Sequence, residues 1–194
     1  MYRHERLIRN SAHQYPVWEA VMAGWLPKAA MLIALAVALG YLLAAVPNVE
    51  AISAVSFFSG YLLGAATGAL VGALSILLFS VLNPLGPAFP AVVAAQVLAM
   101  GSIGACGHVW RRVITLVGKA EFFAAAFGAV LTLAYGVLAD YGFAVSMGRW
   151  RDPLPVIAAG LPFSVIHIVS NGLIFGGASA LVVRKYPPQR SPDA

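Results

Sequence analysis

The chain reads as a succession of long apolar runs separated by short polar breaks, several of them marked by proline. A mixed N-terminal stretch carries Arg3, Glu5, Arg6 and Arg9. The first apolar run then extends from about Pro27 to Val46. Others cover Ala51 to Leu82, about Ala88 to Gly107, about Phe122 to Leu138, and about Leu154 to Val183 with Pro162 inside it. These runs are continuously apolar and do not alternate, so the pattern predicts helices and not the strands of a barrel. Most approach the ~20 residues a helix needs to cross ~30 Å of hydrocarbon.

The run from Ala51 to Leu82 is the exception, because its 32 residues would form a single helix about 48 Å long. Tilt absorbs only part of such an excess. Charge placement decides between one span and two. With two spans, Arg3, Arg6, Arg9, Lys28, Arg111, Arg112, Lys119, Arg184, Lys185 and Arg190 share one side, and only Arg149 and Arg151 face the other. That is a 10 to 2 split; a single span makes it 6 to 6. Positive residues concentrate on the cytoplasmic side of membrane proteins. The reading is therefore an all-α integral membrane protein: a bundle of six transmembrane helices with both termini cytoplasmic. The break is placed near Gly64 to Thr67, within the glycine ladder Gly60, Gly64, Gly68 and Gly72. Residues 1–26 form a cytoplasmic or interfacial segment, 27–184 the membrane domain and 185–194 a cytoplasmic tail. Tyr15, Trp18 and Trp25 are read as interfacial aromatics, and Pro16 would interrupt any surface helix there.

Composition agrees with this picture. Charged residues are 10% of the chain against about 25% in soluble domains, and mean hydropathy is +0.86. The predicted place is the inner (plasma) membrane, in contact with lipid. The net charge of +5 follows from sidedness, so no nucleic-acid partner is expected. Cys106 stands alone, which excludes an internal disulfide and a cysteine-rich metal site. The leader before the first run is long for a signal-peptide n-region, and Pro47-Asn48 lacks a small-x-small cleavage site. The chain has no HExxH, paired-Asp or Walker A sequence, and its four histidines are scattered. No catalytic residue, metal or cofactor is expected.

Candidate chemistry lies in polar residues inside the apolar runs, where burial costs free energy unless partners are found. His167 and Asn171 stand four residues apart on one face of the last run, with Ser164 three residues before. Gln96 lies in the outer half of its run, Glu50 and Asn83 at the ends of the divided segment, and Tyr135 and Asp140 toward the outer end of theirs. Together they outline an outward-facing cavity for a small polar ligand; interhelical hydrogen bonding without a ligand is the plainer alternative. A polar loop from Asp140 to Asp152 carries Arg149-Trp150-Arg151-Asp152, which could form a lid reading an anionic or aromatic ligand. Ala30, Ala34 and Ala38 repeat at small-xxx-small spacing, which serves close helix packing either within the bundle or against a separate subunit.

The size, the six spans, the alanines at 30, 34 and 38, Pro47-Asn48-Val49-Glu50, the Gly60–Gly72 stretch and Asn83-Pro84-Leu85-Gly86-Pro87 together resemble the substrate-binding S components of energy-coupling factor (ECF) transporters. The resemblance is best over residues 27–107, diffuse over 120–183 and absent from the first 26. It implies capture of a vitamin or related micronutrient from outside. It implies docking through Ala30, Ala34 and Ala38 onto a transmembrane coupling subunit, which two ATPase subunits drive. It places the ligand among Asn48, Glu50, Asn83, Gln96, Arg149, His167 and Asn171. A cobalamin-related ligand with His167 on cobalt is one conceivable case. A structural scaffold without a ligand is the competing expectation.

Overall fold

A computed structural model of the chain describes residues 24–83, 86–116 and 119–188. The expected aromatics Tyr15 and Trp18 and the tail residue Arg190 lie outside these. The described residues form six helices: α1 (Trp25–Leu43), α2 (Ile52–Leu63), α3 (Ala65–Val81), α4 (Pro90–Val113, followed by a 3-10 turn over Ile114–Leu116), α5 (Ala120–Ser146) and α6 (Leu154–Lys185). No strand occurs among them. Four of the helices, α1, α4, α5 and α6, are long and apolar enough to cross a membrane, while α2 and α3 are apolar but shorter.

The chain breaks at Gly64, within the expected interval. Its φ of +99° is a conformation that disfavours any side chain with a Cβ. The break is a reversal and not a kink. A Cβ at Gly68 would strike the backbone of Gly60, eight residues earlier, so α2 and α3 fold back on each other. The same point receives α4. Added Cβ atoms at both Gly60 and Gly68 would run into the carbonyl of Gly104. Gly72 likewise faces the Met100 carbonyl, and Gly107 faces that of Phe57. The glycine ladder thus brings three backbones to van der Waals contact, which small residues alone allow.

Helix α2 is the axis of the bundle. Nine of its residues, including Ile52, Phe57, Phe58 and Tyr61, are buried. The Phe57 ring meets those of Phe175 at 5.1 Å, Phe127 at 5.9 Å and Trp110 at 6.4 Å, so it is enclosed by α4, α5 and α6. Contacts between α2 and α6 ascend together in both: Ser53 with Asn171, Phe57 with Phe175, and Tyr61 with the Tyr186 carbonyl. The two helices therefore run parallel. The start of α2 lies beside Asn171, about 25 Å along α6 from its first residue.

One boundary corrects the sequence reading. The expected polar loop from Asp140 to Asp152 is helical as far as Ser146, so Asp140 stands on α5 and the loop shortens to the residues around Gly148. Gly142 explains the extension. It seats the helix against the Ala91 carbonyl and Ala95 of α4, which pins one more turn to the bundle.

The three-backbone contact should tolerate no added atom. We expect Gly104→Ala to lower stability in detergent by ~1–3 kcal/mol, the usual cost of overpacking. Gly177→Ala, where nothing lies within 4 Å of the added atom, should leave thermal unfolding unchanged.

Candidate functional site

Between α1 and α2 the chain does not stay at the end of the bundle. It leaves α1 after Leu43 and turns inward through Pro47 and Asn48, whose φ of +58° is the one left-handed non-glycine conformation among the described residues. Asparagine tolerates that conformation better than most residues do. The Ser170 hydroxyl donates to the Asn48 carbonyl at 2.9 Å and ties this connection to α6.

Glu50 comes next, and it is the most heavily bonded side chain of the region. Its Oε2 accepts from the Ser53 backbone N–H at 3.0 Å, a capping contact in the first turn of α2. Its Oε1 accepts from the Ser53 hydroxyl at 2.5 Å and from Asn171 Nδ2 at 3.1 Å. His167 Nε2 lies 3.4 Å from the same oxygen. The carboxylate side chain remains 22% exposed and His167 13%, so both still reach open space on one side.

That space is a cavity of about 570 Å³. Its walls come from the α1–α2 connection, the ends of α1 and α3, and the facing sides of α4, α5 and α6. Gln96 accepts from the Ser80 hydroxyl at 2.9 Å. The Tyr135 ring meets His167 edge to face at 5.8 Å. Asp140 packs its carboxyl over Gly160, where a Cβ would collide with it. From Gly160 to His167 the wall follows two turns of α6, a descent of about 10 Å.

Of the seven binding residues expected from sequence, Asn48, Glu50, Asn83, Gln96 and His167 line this cavity. Asn171 is fully buried directly behind Glu50, and it acts on the cavity only through that carboxylate. Arg149 is elsewhere. It is paired with Asp152 at 2.9 Å in an exposed loop, and the neighbouring Arg151 lies over the Trp150 ring at 4.4 Å. The loop residues Arg149 to Asp152 contribute nothing to the lining. Ser164, Tyr135 and Asp140, read from the sequence as part of the cavity outline but not among the seven, also line it. An ionisable residue among apolar neighbours is a signal that could have included Asp140. Ser53 also went unread; its order relative to Glu50 is the reverse of a capping box, so no local pattern announces the contact.

The expected docking face is presented outward. Ala30, Ala34 and Ala38 are exposed, whereas α1 turns Ala29, Ala36 and Gly40 into the bundle. The three alanines form the floor of a shallow apolar groove of about 470 Å³, bounded by Tyr41 and Leu78. Among the described residues no group of three or more His, Cys, Asp or Glu side chains could hold a metal ion. Comparison with known protein families, curated proteins and solved structures gives no match to this chain.

Removing the donor behind Glu50 leaves a partly buried carboxylate short of a partner. Asn171→Leu should cost ~1–3 kcal/mol of stability in thermal unfolding. Asn171→Gln, which can restore an amide donor, should recover part of it.

Proposed function

We propose that the chain is the substrate-specific membrane subunit of an ECF-type transporter. It captures a vitamin or related micronutrient from outside, and a transmembrane coupling subunit with two ATPase subunits drives its uptake. The observation that carries this reading is the cavity. Polar side chains from five separate parts of the chain converge on one open space large enough for a small molecule. Ligand sites are concave, largely apolar and furnished with a few convergent polar groups. The chain carries no Walker A sequence, so the proposal assigns ATP hydrolysis to the partner subunits.

Six crossings with both ends cytoplasmic complete the proposal, in a multi-pass protein of the plasma membrane. The shortness of α2 is compatible with it. About 18 Å of helix does not reach across the hydrocarbon. The irregular connection around Glu50 makes up the remainder, and such backbone is tolerated at membrane depth where it lines a cavity. The 10 to 2 division of Lys and Arg supports a cavity mouth on the outside.

The outward Ala30, Ala34 and Ala38 face gives the coupling subunit a surface on which backbones can approach closely. Ala34→Trp should leave ligand binding to the purified protein unchanged and abolish uptake in cells. Uptake at the wild-type rate would remove α1 as the docking helix. Native mass spectrometry of the purified chain should find a retained small molecule. A protein that retains none and co-purifies with cell-envelope proteins would be a scaffold instead.

A further inference from the structure

The cavity carries a charge bias that the sequence did not make visible. Its lining holds two carboxylates, Glu50 and Asp140, and no lysine or arginine. The only basic side chain in the wall is His167, already turned to Glu50. The nearest expected source of positive charge, Arg149, is paired outside with Asp152. Asp140, in contrast, has no hydrogen-bond or ion-pair partner among the described residues. Three aromatic side chains, Tyr135, Phe79 and Phe163, also line the cavity.

We infer that the cavity selects an organic cation, a ligand bearing an ammonium, amidinium or comparable delocalised positive group. This rests on the reading of the cavity as a small-molecule site and names the ligand class for it.

The electrostatics run in one direction. Two carboxylates set among apolar walls make a field that attracts a cation and repels an anion. The effect is larger than in water because the surroundings polarise less. An anionic ligand would meet no lysine or arginine in the wall, and it would leave its own charge desolvated beside Asp140. A cation gains an ion pair there, and gains more where an aromatic ring offers its face, whose quadrupole favours positive charge. A bare metal ion is a poorer fit, since the lining offers no cluster of three or more ligating side chains among the described residues. The size of the space also suits an organic molecule better than an ion.

The bias is tested with three planar probes of nearly equal size: benzamidinium, benzamide and benzoate. Each is titrated into the detergent-purified full chain, with binding followed by thermal shift and equilibrium dialysis. Benzamidinium should bind at least about tenfold more tightly than either of the others. Asp140→Asn should reduce its affinity about tenfold, to the level of benzamide, and Asp140→Glu should keep the preference. Benzoate or benzamide binding as tightly as benzamidinium would overturn the inference while leaving a small-molecule site in place. An Asp140→Asn protein that melts like wild type and binds benzamidinium unchanged would also overturn it. Binding of none of the three overturns the cation assignment too, and the retained ligand in the native mass spectrum then decides the small-molecule reading separately. The wild-type comparison needs no variant, so a misfolded mutant does not rescue the inference.

Discussion

A carboxylate placed at mid-depth in an apolar bundle has to be surrounded by donors, and the requirement at Glu50 organises the structure around it. Ser53 fixes the first turn of α2, His167 and Asn171 fix α6 against it, and Ser170 holds the preceding backbone in place. Each bond spans a connection that packing alone would leave free to slide. Apolar faces in lipid have no hydrophobic reason to prefer one register over another. Hydrogen bonds between defined groups do, and here they set where the axial helix begins. Once α2 starts halfway along α6, the chain above it leaves a gap that its neighbours do not fill. The cavity is the consequence of that offset.

The glycines do the complementary work at the other end of the same helix. Gly60, Gly68 and Gly104 bring α2, α3 and α4 together so closely that no side chain intervenes. Below Glu50 the bundle is therefore dense, with Phe57 enclosed by rings from three helices. Above it the walls stand apart. A dense base beneath an open mouth makes the cavity both preorganised and accessible, because the side chains facing it are anchored from behind and not from the front. Asn171 illustrates the division. It is buried and touches no open space, yet it holds the oxygen of a residue that does.

Much of this was legible in the sequence for a simple reason: apolar length and glycine spacing are local signals. The reversal at Gly64 followed from counting residues and charges; Glu50, Asn83, Gln96 and His167 followed from being polar in or beside apolar runs, while Asn48 came from the family resemblance. Arg149 lies away from the cavity for an equally physical reason. A residue in a loop is placed by its neighbours, and Asp152 three residues on offered a partner closer than any cavity. The loop was also overestimated. The polar look of Asp140 concealed a helix whose continuation depended on Gly142 meeting α4, a contact between residues 47 to 51 positions apart that no local pattern reports. Asp140 was read as part of the cavity outline, but it was not among the seven residues that the family resemblance singled out.

Small residues at four-residue spacing occur twice in this chain and end in opposite environments. The ladder from Gly60 to Gly72 is turned inward, and its smallness is used up by neighbouring backbone. The stripe Ala30, Ala34 and Ala38 is turned outward, and the bundle uses Ala29, Ala36 and Gly40 on the other side of the same helix. Periodicity could not separate these cases, because both patterns permit close approach. What separates them is how many partners each helix has. Helix α2 is surrounded and α1 is peripheral, packed mainly against α3 and α2. An exposed stripe of alanines on a peripheral helix gains nothing inside its own bundle. Lipid alone would be served as well by larger side chains such as Met31, Leu35 and Leu42, which cover the rest of that surface. Smallness there leaves room for another backbone to approach closely, which is the use that the proposed docking makes of it.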